Sequence, residues 1–170
     1  MADGRAGSFG RQDDCSLRTT NGLGLLWYAE QEFSDYSLRL DWKLVNDNNG
    51  GVFIGFPNPG NDPWVAVNQG YEVQIDATDA PDRTTGAIYT FQGADSSAIA
   101  ASLKPVGSWN SYDIRVEGST IKVFLNGTLV NDFTSTDPAR VRTPLTRESR
   151  IAPLSGLSSA PFIEEVFPCP

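Results

Sequence analysis

The sequence predicts an all-β protein in which two antiparallel sheets pack against each other. Strand patterns with one apolar and one polar face recur along the chain, and turns rich in glycine and asparagine separate them. No segment shows the periodicity of an amphipathic helix. Many short strands at such spacing are typical of a β-sandwich or a barrel. The 170 residues suit a single domain with a full hydrophobic core, for which we expect residues 8–138 to supply the sandwich and 139–170 an atypical C-terminal tail.

The clearest strand is predicted at residues 37–44, where polar and apolar side chains alternate without exception. Three leucines and Trp42 share one face, and the other face is polar: Ser37, Arg39, Asp41 and Lys43. Residues 46–51 are Asn, Asp and Gly, which tolerate positive φ and therefore predict a turn. The strand at 52–56 completes a hairpin.

Further strands are predicted between turn residues, at 24–28, 71–77, 87–91, 111–117, 120–126 and 128–133. The turns at Gly118 and at Asn126-Gly127 join the last three strands into a meander. The alanines of residues 93–103 allow one short helical turn, which is too short to change the fold class.

The strand at 71–77 carries the most informative polar face. Tyr71, Val73 and Ile75 point one way, while the acceptors point the other way: Glu72, Gln74 and Asp76. This row lies beside a loop that contains Trp64, as in a sugar-binding surface, although a solvent-exposed strand face has the same alternation. Glu72 and Asp76 are about 13 Å apart along a strand, too far for the carboxylate pair of a glycosidase, so a partner must come from a neighbouring strand.

The composition narrows the class of ligand. A net charge of -8 disfavours nucleic acids and anionic membranes, which leaves neutral ligands such as sugars. There is no apolar run of about 18 residues, so no membrane-spanning helix is predicted. Few lysines and many Asn, Thr, Ser and Gly favour a secreted or periplasmic protein whose signal was removed. Cys15 and Cys169 near the two ends allow either a disulfide or two free thiols.

Seven short motifs, in this order and spacing, resemble the 3-keto-disaccharide hydrolase domain family over about residues 22–138. They are GLGLLW at 22–27, FSDYSLRLDW at 33–42, NNGGVF at 48–53, GYEVQI at 70–75, TGAIY at 85–89, WNSY at 109–112 and FLNG at 124–127. The resemblance implies a concanavalin A-like jelly-roll sandwich with a carbohydrate site on a concave sheet face. It also implies cleavage of a 3-keto-glycoside, in which a carboxylate removes the C2 proton and the aglycone leaves by elimination.

The resemblance implies that Glu72 is the base and that Gln74 binds the substrate. We expect Asp41 or Asp113 on neighbouring strands to be the acid. The candidate substrate-binding residues are Gln74, Asp76, Trp64, Arg39, Lys43, Arg115 and Tyr89, and the three cations among them are candidates to stabilise an oxyanion. Ordinary cross-strand ion pairs are the alternative interpretation for the charged residues. Trp64 can stack on a sugar or fold back over the sheet, while Trp27, Trp42 and Trp109 are predicted in the core.

The chain departs from the family at its end. It contains no histidine, and residues 140–170 do not resemble the histidine-bearing final strand of the family. Either residues 161–167 replace that strand or a sheet edge stays open, which would favour a homodimer.

The sequence specifies no cofactor. Without histidine a zinc site is disfavoured, whereas calcium could bind at 47–49 or at Asp76, Asp79 and Asp82, which are interpreted first as turns. Two functions from different classes follow: an enzyme acting on 3-keto-glycosides, or a noncatalytic carbohydrate-binding module of a larger exported enzyme. A third hypothesis is a structural sandwich that mediates protein contacts. An enzyme should place a second ionisable group within about 5–10 Å of Glu72.

Overall fold

The fold is a two-sheet β-sandwich, which confirms the all-β prediction. A computed structural model describes residues 7–20, 22, 24–28, 33–138, 140, 150–155 and 162–164. Within these ranges the chain forms eleven strands and two short helices. They are β1 (Ser8–Arg11), β2 (Leu17–Thr20), β3 (Gly24–Leu25), β4 (Tyr36–Lys43), β5 (Asn49–Phe56), α1 (Trp64–Gln69), β6 (Tyr71–Asp76), α2 (Ser96–Ser102), β7 (Asn110–Glu117), β8 (Thr120–Leu125), β9 (Thr128–Thr134), β10 (Arg150–Ser155) and β11 (Phe162–Glu164).

The strands form two antiparallel sheets. The larger sheet has the order β1-β2-β11-β4-β7-β8-β9, and the smaller has the order β3-β10-β5-β6. The segment after β6 extends the smaller sheet, because the Gln74 N–H donates to Ala87 O at 2.9 Å and the Tyr89 N–H donates to Glu72 O at 2.9 Å. Residues 85–92 therefore cover the free edge of β6.

The core lies between the two sheets and is built from the apolar faces of the alternating strands. Its buried side chains are Leu40, Trp42, Leu44, Val52, Ile54, Tyr71, Val73, Ile75, Ile88, Tyr112, Ile114, Ile121, Val123, Leu125 and Val130. The rings of Trp42 and Tyr112 lie 5.3 Å apart within the larger sheet. The Tyr112 hydroxyl reaches across the core and donates to Gln74 O at 2.8 Å, which ties the two sheets together.

The C-terminal region contributes more strand than its sequence suggests. Strand β10 lies between β3 and β5 in the smaller sheet, and β11 lies between β2 and β4 in the larger. Residues 150–155 and 162–164, which lie in the predicted C-terminal tail, therefore form strands of the sandwich. Of residues 161–167, those at 162–164 form β11.

Several predicted elements differ from the structure. Strands β4 and β5 belong to different sheets, so the hairpin predicted from residues 37–44 and 52–56 is wrong. The strand at 87–91 is reduced to isolated bridges at Ile88, because Gly86 and Thr90 have φ of 85° and 64°. Trp64, predicted in a loop, is the first residue of helix α1. Its backbone N–H donates to Asp62 Oδ1 at 3.0 Å. No helix in the described ranges is long and apolar enough to span a membrane.

Candidate functional site

Glu72, Gln74 and Asp76 occupy the outer face of the smaller sheet. Their neighbours on β6 point into the core, so these three side chains point away from it. The register places Glu72 opposite Phe53 on β5, and Gln74 opposite Gly51. Since Val73 pairs with Ile88, Tyr89 lies opposite Glu72 on the other side of β6. Phe53, Glu72 and Tyr89 therefore form one row across the face, with Cβ atoms of neighbours about 5 Å apart.

Glu72 is the most perturbed carboxyl on this face. Burial raises its pKa to about 7 from an ordinary value of 4.5, and no hydrogen bond or charge from the described residues contributes. The side chain lies over Gly51, where a Cβ would come within 2.4 Å of Glu72 Oε1. The carboxyl thus rests over the backbone of β5, and a pKa of about 7 suits proton exchange near neutral pH.

Gln74 lies on the same face and is 0% exposed. Neither Nε2 nor Oε1 has a hydrogen-bond partner among the described residues. Each buried unpaired polar atom costs about 1–3 kcal/mol, so native proteins seldom keep one without a role. The amide offers both a donor and an acceptor to a polar group that reaches it.

Asp76 has a structural role. Its Oδ1 accepts the backbone N–H groups of Thr78 at 2.8 Å and Asp79 at 3.2 Å, which closes the turn after β6. No group of three or more Asp, Glu, Cys or His side chains within the described ranges could hold a metal ion.

Helix α1 and a small apolar cluster are anchored on β5. Phe53, Phe56 and Ala66 form the buried part of the cluster, and Leu25, Trp27 and Val67 pack against it. Trp64 begins the helix and is 54% exposed, so the fold-back alternative does not describe it. Trp27 is partly buried in this cluster, Trp42 lies in the main core, and Trp109 is half-buried with the Lys43 Nζ 4.7 Å from its ring centroid.

The other charged candidates lie on the opposite side of the molecule. Strands β4 and β7 belong to the larger sheet, and their core faces carry Leu40, Trp42 and Tyr112. The outer face of these strands therefore carries the remaining candidates: Arg39, Asp41, Lys43, Asp113 and Arg115. The expectation that Asp41 and Asp113 lie on strands neighbouring Glu72 is wrong, since the core separates the two faces. For the same reason Arg39, Lys43 and Arg115 lie too far from Glu72 to stabilise an oxyanion there.

Asp113 is instead the centre of an ion-pair cluster. It accepts hydrogen bonds from Arg115 Nη2 at 2.9 Å and from Ser37 Oγ at 2.6 Å, and Arg39 Nε lies 3.4 Å away. The hydrogen bond from Arg115, followed by that from Ser37 and by the nearby cations, lowers the pKa of Asp113 to about 2. A carboxyl of this kind is a poor proton donor at neutral pH.

Two residues near the site were not singled out by sequence patterns. Gly51 was assigned to a turn with its glycine and asparagine neighbours, but it lies in the interior of β5. Arg140 donates to the carbonyls of Val67 and Gly70 at the end of α1 and is paired with Asp137 at 3.4 Å.

Cys15 is disulfide-bonded, and Cys169 lies outside the described residues.

The family model of the 3-keto-alpha-glucoside-1,2-lyase-like domain matches residues 3–153. The chain belongs to this family. The resemblance noted over residues 22–138 is thereby confirmed and extended at both ends. As a member of the 3-keto-alpha-glucoside-1,2-lyase-like family, the protein is a carbohydrate-related domain.

Solved structures share the jelly-roll fold. A candidate glycosyl hydrolase from Parabacteroides distasonis is 21% identical with a TM-score of 0.63, over 92% of this chain and 90% of that one. A second from the same organism is 13% identical with a TM-score of 0.69, over 92% and 80%. The carbohydrate-binding module CBM66 from Bacillus subtilis is 12% identical with a TM-score of 0.59, over 93% and 88%. Comparison with curated proteins gives no match.

Proposed function

We propose that this protein cleaves 3-keto-glycosides, with Glu72 as the base that removes the C2 proton. The observation that carries the proposal is the partly buried Glu72 side chain seated over Gly51, whose pKa of about 7 suits reversible proton transfer at neutral pH. Family membership supports the substrate class.

The chemistry follows from the ketone at C3. The carbonyl acidifies the C2 proton, which passes to Glu72, and the electron pair of the C–H bond forms an enolate with its charge on the C3 oxygen. Collapse of the enolate breaks the bond from C1 to the glycosidic oxygen. The aglycone takes up one proton and leaves as an alcohol. Water then adds across the new double bond, with its hydroxyl on C1 and its proton on C2, and gives the free 3-keto-sugar.

Two side chains on the same face are suited to the other roles. The Gln74 amide, whose N–H has no partner among the described residues, is the proposed donor to the enolate oxygen. Tyr89, directly across from Glu72 on the neighbouring segment, is the proposed proton donor to the aglycone. Arg83 lies over its ring, with Cζ 5.8 Å from the centroid.

Aglycone release from a 3-keto-glucoside and from its unoxidised parent tests the proposal. Wild-type protein should act on the keto form alone. The Glu72→Gln variant keeps the shape of the side chain but cannot accept the proton, so it should lose activity by at least about a hundredfold while still binding the substrate. Glu117→Gln, at an exposed glutamate ending β7, is the matched control and should remain fully active. Equal release by the wild type and the Glu72 variant would refute the assignment.

A noncatalytic carbohydrate-binding module is the second candidate function. Trp64 favours it, since an indole that is 54% exposed at the start of α1 is available to stack on a sugar ring. The likeness to CBM66 shows that such a module can share this fold. Sugar binding that depends on Trp64, without aglycone release from either glycoside, would favour this function over catalysis.

We also propose that the protein is exported, as its composition suggests. The disulfide at Cys15 supports this location, because disulfides persist mainly in oxidising compartments. Thiol titration of the denatured protein before and after reduction tests it: thiols that react before reduction would argue against export. The homodimer through a sheet edge stays a prediction, to be tested by light scattering.

A further inference from the structure

The space above Gly51 is occupied by the side chain of Glu72. A Cβ at Gly51 would lie 2.4 Å from Glu72 Oε1, 2.6 Å from its Cγ and 2.9 Å from its Cδ. These distances are shorter than van der Waals contacts, so the carboxyl fills the volume that any larger residue at this position would need.

Backbone conformation does not explain this glycine. Several glycines of the chain have positive φ, among them Gly55 at 70°, but Gly51 does not. Gly51 lies inside β5, with β6 on one side and β10 on the other. A glycine in the interior of a strand weakens the strand and often marks the close approach of another group. Here the approaching group is the Glu72 carboxyl.

The position of the carboxyl fixes its surroundings. Glu72 bends diagonally from its own row toward Gly51, which is the cross-strand partner of Gln74. Phe53 and Tyr89 flank Glu72 on either side, and the remaining charged group on this strand face, Asp76, is about 13 Å away along the strand. The missing side chain at residue 51 therefore lets the carboxyl lie down on the sheet over Gly51.

We propose that Gly51 is a positioning residue, which holds the Glu72 carboxyl against the sheet beside Gln74 in the orientation that removes the C2 proton. The catalytic part of this inference rests on the proposed function. A methyl group at position 51 displaces the carboxyl outward. Because the displaced atoms are the end of a flexible side chain, the fold is retained and the orientation is lost.

Gly51→Ala is the test, with Gly10→Ala as its matched control. Gly10 also lies in a strand, β1, but a Cβ there meets nothing closer than 3.8 Å. Titration of the Glu72 carboxyl by carbon-13 NMR should give a midpoint that falls from about 7 toward 4.5 in the Gly51 variant. The acidic limb of kcat/KM should move with it, and the plateau should fall about a hundredfold because the base is misplaced. The Gly10 variant should match the wild type.

The outcomes separate the two proposals. If the wild type releases no aglycone, the proposed catalysis fails, yet the Glu72 titration still decides the role of Gly51. An unchanged Glu72 midpoint in folded Gly51→Ala would overturn that role. If this variant does not fold, the double variant with Glu72→Ala removes the clash. Recovery of folding then supports the contact, and failure to recover overturns it.

Discussion

Replacing Glu72 by Gln should stabilise the protein at alkaline pH. The folded state holds the Glu72 proton more tightly than the unfolded chain does, because burial raises the pKa from 4.5 to about 7. The bound proton raises the free energy of unfolding by its full amount below about pH 4.5. This stabilisation is lost as the pH rises through 7. A glutamine at position 72 does not titrate, so the variant protein does not lose this stabilisation as the pH rises.

The size of the effect follows from the two pKa values. Each tenfold difference in proton affinity is worth about 1.4 kcal/mol, so a rise from 4.5 to about 7 corresponds to about 3 kcal/mol. Most of this difference should develop between about pH 5 and pH 8. The Glu72→Gln variant should therefore unfold like the wild type at acid pH and be more stable by up to about 3 kcal/mol above neutral pH.

Urea unfolding of both proteins across this pH range is the assay. Other titrating groups, such as Asp113, affect both proteins equally and cancel in the difference. Glu117→Gln is the control, since it makes the same chemical change at an exposed position at the end of β7. A Glu72→Gln difference that stays constant from pH 5 to pH 8 would refute the claim that this carboxyl is kept from water.

Four further predictions concern activity and stability. The kcat/KM for a 3-keto-glycoside should fall about tenfold per pH unit below about 7, because the base becomes protonated; a pH-rate profile flat from 5 to 8 would exclude Glu72 as base. Gln74→Met should raise the free energy of unfolding by about 1–3 kcal/mol, since it removes unpaired buried atoms, and lower kcat about a hundredfold; unchanged kcat would remove Gln74 from the mechanism. Asp113→Asn should leave turnover unchanged and cost under about 1 kcal/mol in urea at pH 7, because its partners Arg39 and Arg115 are exposed, and this small cost should disappear as pH falls through about 2. Trp64→Ala should weaken sugar binding roughly tenfold in calorimetry without changing thermal stability, and unaltered affinity would place the sugar elsewhere.

Alternation predicted most of the sandwich. The strands at 37–44, 111–117 and 120–126 agree with β4, β7 and β8 to within a residue at each end, because one face of each is buried and the other is wet. Helix α1 could not be predicted because its six residues are too few to show a helical period, and its N-cap residue, Pro63, makes no side-chain cap hydrogen bond. Strand β11 has three residues and depends on the partners on both its sides.

Only part of the candidate site could be predicted, because the alternation of side chains along a strand gives the face of each residue but not the sheet that the strand joins. Alternation along β6 places Glu72 and Gln74 on one face, and alternation along β4 and β7 places Asp41 and Asp113 on another, but no strand pattern states which sheet each strand joins. That depends on long-range pairing, which sends β6 to β5 and sends β4 to β7. Two polar faces in a sandwich look outward in opposite directions, so carboxylates from the two sheets cannot meet without crossing the core.

The pairing of strands also determines the role of a residue without a side chain, such as Gly51. In the sequence, Gly51 belongs to a run that favours a turn, and its neighbours give no sign that a carboxyl will need its space. Once β5 and β6 are aligned, the same glycine becomes the surface on which Glu72 rests, and Tyr89 becomes the neighbour across the strand. The surroundings of the Glu72 carboxyl thus come from chain segments that are not adjacent in sequence. A substitution at Gly51 should therefore change the titration of Glu72. Neither strand pattern alone links these two residues.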